Sequence, residues 1–171
     1  MSGPVLSIEL AHTVPGPALQ TLRDLLTRSS SGFEETRAGE YALHIRAESL
    51  GIRPTGDVDG RRPFLVSVHE AEHADEAADP EPRIGFTPTH AVDVVAFCNS
   101  PVDHAVTALL TAAVMDVVGG VATAELREDQ LPLVAELPGF LATTPTPWPT
   151  AYGSAEFLRA WARTPGFHLL K

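Results

Sequence analysis

Val92-Asp93-Val94-Val95-Ala96-Phe97-Cys98 is followed, one residue later, by Ser100-Pro101-Val102-Asp103, and the junction of these two strings decides the fold. The first string is almost continuously apolar, which suits a central strand covered on both faces. The second has the Ser-x-x-Asp form of a capping box, with proline at the first helical position. A helix is therefore expected from Pro101 to about Val118. Its polar residues, Asp103, His104, Thr107 and Thr111, make only a narrow stripe, so it should lie across a sheet and be largely buried. Gly119-Gly120 stops it, and Val121–Leu126 returns as a strand.

Outward from this unit the periodicities are those of further strands and helices. Leu6, Ile8 and Leu10 alternate with Ser7 and Glu9, as in a half-buried strand. Pro17 opens a helix whose apolar face is Leu19, Leu22, Leu25 and Leu26, and the run Ser29-Ser30-Ser31-Gly32 ends it. Glu40–Ala47 and Phe64–Val68 alternate again and form a long hairpin through Asp59-Gly60. Leu131–Thr150 reads as a long proline-rich connection. Ser154 caps a last helix carrying Phe157, Leu158 and Trp161, and Phe167–Leu170 reads as a final strand. The order β-α-β-β-β-α-β-α-β predicts a single α+β domain over 1–171, with a mixed or antiparallel sheet and helices mainly on one face. Neither an internal repeat nor a glycine-rich phosphate loop is visible.

Twenty-two acidic against twelve basic residues leave a net charge of −10. A field of that sign repels phosphate backbones and anionic membranes, so neither nucleic acid nor membrane is an expected partner. It attracts a basic protein and raises the encounter rate. The single cysteine, Cys98, excludes an internal disulfide framework. With an N-terminus that lacks a basic leader and no apolar run long enough to span a bilayer, it points to a cytoplasmic protein. No cofactor is indicated.

The sharpest chemical string is His69-Glu70-Ala71-Glu72-His73, the HExxH pattern of zinc peptidases. On a helix, histidines four apart share a face and clamp Zn²⁺ while the intervening Glu serves as general base. Here His69 follows directly on the strand Phe64–Val68, where alternation sends the two histidines along an extended chain. A third ligand would have to come from a residue such as His90 or Glu125, without supporting spacing. We therefore read the string as a solvated acidic edge. A zinc-dependent hydrolase, with His69 and His73 as ligands and Glu70 as base, is the alternative. Cys98 precedes a helix whose first turn holds His104, an arrangement open to a nucleophile pair, but a small apolar residue at the end of a buried strand accounts for it.

Glu70, Glu72, Asp75, Glu76, Asp79 and Glu81 run without a base until Arg83. Such a stretch is either a solvated loop or a surface that docks a basic cleft. Trp148, inside Pro145-Thr146-Pro147-Trp148-Pro149, either pins that connection to the domain or anchors a partner. These seven residues are the candidate partner-binding set.

Gly85-Phe86-Thr87-Pro88-Thr89-His90, Val95–Asn99, Asp103-His104, Gly119-Gly120, and the ending Ala155-Glu156-Phe157-Leu158, Trp161 and Pro165-Gly166-Phe167-His168-Leu169 resemble a small actinobacterial family of unknown function. The layout, with a capped helix beginning at an Asp-His pair, also resembles immunity proteins of polymorphic toxin systems. The resemblance covers about residues 85–171 and carries over no catalytic or binding residue. It implies a stand-alone cytoplasmic binding protein, and with the charge it leads to an acidic inhibitor that neutralises a basic toxin domain.

Overall fold

Strand alternation decides which face of the sheet is covered. In the computed structural model, which describes residues 3–53, 61–71, 81–144 and 149–170, the chain begins with β1 (Val5–Leu10), α1 (Gly16–Ser29), β2 (Ser30–Arg37), β3 (Glu40–Arg46) and β4 (Arg61–Glu70). It continues with α2 (Glu81–Ile84), β5 (His90–Ala96), α3 (Pro101–Val118), β6 (Val121–Glu125), α4 (Leu131–Ala135), β7 (Phe140–Thr143), β8 (Thr150–Gly153) and α5 (Ala155–Trp161). Among the described residues the eight strands form one antiparallel sheet in the order β2-β3-β4-β5-β1-β6-β8-β7. The protein is α+β. Leu6, Ile8, Tyr41, Ile45, Phe64, Val66, Val92 and Val94 point to one face and are buried there beneath α1, α3 and α5.

The predicted unit around Val92 and Ser100 sits at the centre. β5 and β6 flank β1 and both run antiparallel to it, so they are parallel to each other and α3 is their crossover. Its capping box forms as expected: Ser100 Oγ accepts from the Asp103 amide, and Asp103 Oδ2 accepts from the Ser100 amide at 2.7 Å. By length and composition α3 could cross a bilayer; here it is the core helix of the domain, packed against β1 and β5. Its polar stripe faces inward. Asp103, His104, Thr107 and Thr111 are all at most 1% exposed. Thr107 and Thr111 bond the carbonyls four residues back at 2.7 and 2.8 Å, and His104 Nδ1 accepts from the Leu169 amide. Asp103 pairs with Arg62 of β4 at 2.5 Å.

Four expectations are corrected. β5 is central, but only its core-facing side is sealed: Asp93 and Val95 are half-buried on the other face, because α1, α3 and α5 pack on the core side. Cys98 is exposed, not buried, since the strand ends at Ala96 and the chain turns outward before the α3 cap. The Leu131–Thr150 connection contains α4 and β7. Phe167–Leu170 is not a strand; its polar backbone is held by side chains instead, with Gln130 Nε2 donating to the His168 carbonyl and His104 accepting from Leu169. β2 was not anticipated, because Glu34-Glu35-Thr36-Arg37 lacks apolar alternation; it is an edge strand paired only with β3.

Candidate functional site

The face of the sheet away from α1, α3 and α5 carries the other half of each alternating strand. Ser7 stands opposite Asp93 on one side and Thr123 on the other. Asp93 stands opposite Ser67, Ser67 opposite Glu40, and Thr123 opposite Tyr152. A polar row therefore crosses six strands. Beside it runs an apolar row, Leu65, Val95 and Val5 in register, and Phe97, half exposed, follows two residues after Val95. On the opposite side of the polar row stand His69, Ala91, Glu9 and Val121.

Two hollows lie along this face and share Ser7 and Glu9. The larger, about 820 Å³, is bounded by the turn between β2 and β3 and by β4, β5 and β1, and takes in Glu9, Glu40, His69, Glu70 and Asp93. In it Ser7 Oγ donates to Asp93 Oδ1 at 2.5 Å, and His69 Nε2 lies 3.0 Å from Asp93 Oδ2. His69 Nδ1 lies 2.7 Å from the Glu70 carbonyl oxygen. Both His69 partners are oxygen acceptors, so each ring nitrogen that carries a proton has an acceptor to meet. Burial raises the Glu9 carboxyl above its ordinary range; Asp93 adds to the rise and His69 partly opposes it. Hydrogen bonds from Thr36 and Arg37 hold the Glu40 carboxyl below its ordinary range against a smaller effect of burial.

The arrangement holds charge; it does not activate a nucleophile. In a serine nucleophile the hydroxyl faces the imidazole that takes its proton. Here Asp93 stands between Ser7 and His69 and satisfies both. Among the described residues no group of three or more His, Cys, Asp and Glu side chains is arranged to hold a metal ion.

The smaller hollow, about 340 Å³, lies between β1, β6 and β8 and includes Glu9, Thr123, Glu125 and Tyr152. Tyr152 is 7% exposed yet lies outside the apolar core. Burial raises its hydroxyl's pKa, with Arg83 lowering it and Glu9 raising it. Arg83 comes from α2, which sits beside β7 at the far edge of the sheet from β2.

Of the sequence-predicted residues, Glu70 ends β4 at the rim of the larger hollow, and Glu81 begins α2. His69 and Glu70 both belong to β4, which runs two residues beyond the expected Val68, so these two do not begin a helical HExxH clamp. Glu72, His73, Asp75, Glu76, Asp79 and Trp148 lie outside the described residues. Sequence reading missed Ser7, Glu9 and Asp93 as one cluster. A signal was present: Asp93 is the one charge within Ala91–Ala96, and Ser7 and Glu9 occupy the polar side of β1.

The class defined here is an open-faced α+β protein, with helices sealing one side of an antiparallel sheet and a carboxylate-rich trough on the other. A model for a family of unknown function (DUF6368) matches residues 2–171, and the chain belongs to that family. Neither a curated protein nor a solved structure matches it.

Proposed function

We propose that the protein is a non-enzymatic binding protein whose open sheet face docks a basic protein partner, as an immunity-type inhibitor docks a toxin domain. The observation that carries this reading is the face away from α1, α3 and α5, which is open among the described residues and where a trough with Glu9, Glu40, Glu70 and Asp93 runs beside the apolar Val5, Leu65, Val95 and Phe97. Apolar contact area bordered by charge is the make-up of a protein interface. A net charge of −10 adds long-range steering toward a cationic surface. The acidic run that begins at Glu70 starts at the rim of the same hollow. Asp93, already paired with His69 and Ser7, acts as a fixed acceptor that needs no reorganisation on docking.

The test measures association kinetics between the purified protein and the products of adjoining genes, beginning with any that carries a basic domain. The association rate is expected to fall at least about tenfold between low and roughly 0.5 M salt. Phe97→Asp should weaken the complex mainly through faster dissociation, by about tenfold or more. Binding at a salt-independent rate, or binding unaffected by changes on this face, would contradict the proposal.

A further inference from the structure

The smaller hollow arises where two central strands part. β1 and β6 pair only from Ser7–Thr123 to Glu9–Val121, although β1 begins at Val5 and β6 continues to Glu125. Beyond the ladder, Val5 and Glu125 border an opening whose end is formed by Leu169 and Leu170. Glu125 stands at the parted end, Glu9 lines the hollow from the still-paired end of the ladder, and Tyr152 lines it from β8. The Tyr152 side chain is more than nine-tenths buried, and among the described residues its hydroxyl has no hydrogen-bond partner. The hydroxyl itself stays accessible at the opening, so a ligand group seated there can bond to it. Ser7 Oγ spends its proton on Asp93, so toward a ligand in the hollow it can act only as an acceptor.

We infer that this hollow is the anchoring pocket of the open face and takes a long cationic side chain, arginine or lysine, from the basic partner. The inference rests on the partner reading above and deepens it. Val5, Leu169 and Leu170 pack the aliphatic stem. Glu9 and Glu125 take the charge, and the Tyr152, Ser7 and Thr123 oxygens accept the remaining N–H groups. Several acceptors of fixed position suit a multi-donor head group, and Glu9, whose burial His69 only partly offsets, gains a further cation.

The full chain, labelled with ¹⁵N, is titrated with Nα-acetyl-arginine amide, Nα-acetyl-lysine amide and the uncharged isostere Nα-acetyl-citrulline amide. Saturable amide shifts are expected at Thr123, Glu125 and Tyr152 with a cationic amide, with citrulline at least about tenfold weaker. The stronger of the two cations identifies the side chain. Glu125→Gln should weaken binding about tenfold and Tyr152→Phe about fivefold. Tyr152→Phe should leave the unfolding midpoint of the free protein unchanged or raised, because the lost hydroxyl had no partner to lose. Equal shifts with citrulline, shifts confined to the Asp93 hollow, or no saturation with either cation overturns the inference. A basic protein partner that binds Tyr152→Phe and Glu125→Gln at wild-type affinity overturns it too, while leaving the partner reading intact. Amide binding as expected, without any basic partner, would instead overturn the partner reading.

Discussion

Asp103 and Glu9 are both carboxylates withdrawn from water, and they respond to pH in opposite directions. Burial disfavours the charge on Asp103, but hydrogen bonds from Ser100 and the ion pair with Arg62 outweigh it and hold the carboxyl below its ordinary range. Its contribution to stability is complete above the unfolded-state value and is lost as pH falls through the folded one. Glu9 is raised, so the folded chain holds its proton more tightly, and that stabilisation is lost as pH rises through the folded value. Near pH 7 we expect Asp103→Asn to cost about 3–5 kcal/mol, because it strands a buried guanidinium. Glu9→Gln should leave stability equal or higher, with the gain disappearing as pH falls through the carboxylate range. Urea unfolding of both variants across pH checks the two signs; a loss of stability in Glu9→Gln at neutral pH would show that the carboxylate is held by more than His69. At this scale the sequence identified which residues are charged and which strand side they occupy. It did not reveal that Asp103 would find Arg62, forty-one positions earlier in the chain.

At the scale of elements, α3 shows how far local signals reach. Its start and end were legible because capping chemistry and Gly119-Gly120 act within a few residues. Which side of it faces inward was not legible, since Asp103, His104, Thr107 and Thr111 find their partners partly on β4 and in the C-terminal segment. Ser100 joins both kinds of information: it caps α3 and also accepts from Arg62 at 3.1 Å. Ser100→Ala should therefore cost about 1–2 kcal/mol, the upper part of the range for an N-cap, read as a lower urea midpoint at unchanged slope. A cost near zero would mean the Asp103–Arg62 pair positions the helix unaided. β2 escaped notice for a related reason: an edge strand beside α1, bearing an Arg23–Glu35 ion pair, is set by pairing with β3 and not by its own pattern. Gly153 is likewise a tertiary requirement, because a Cβ there would meet the Phe157 ring at 2.2 Å.

For the whole molecule the governing fact is asymmetry: three helices seal one face of the sheet, and the chain carries a net charge of −10. Self-repulsion of that charge opposes the folded state and is screened by salt. Raising sodium chloride from about 0.05 to 0.5 M should lift the thermal midpoint by a few degrees; a midpoint that falls would assign the larger role to ion pairs such as Arg127–Asp129 and Arg159–Asp116. By itself the sequence determined the α+β class, the place of most strands and the capped central helix, because periodicity and capping act over a few neighbouring residues. Only the tertiary structure decided strand order, the burial of the α3 polar stripe and the meeting of Ser7, Glu9, His69 and Asp93. That meeting depends on register between strands distant in the chain, and a run of amino acids read in order does not contain it.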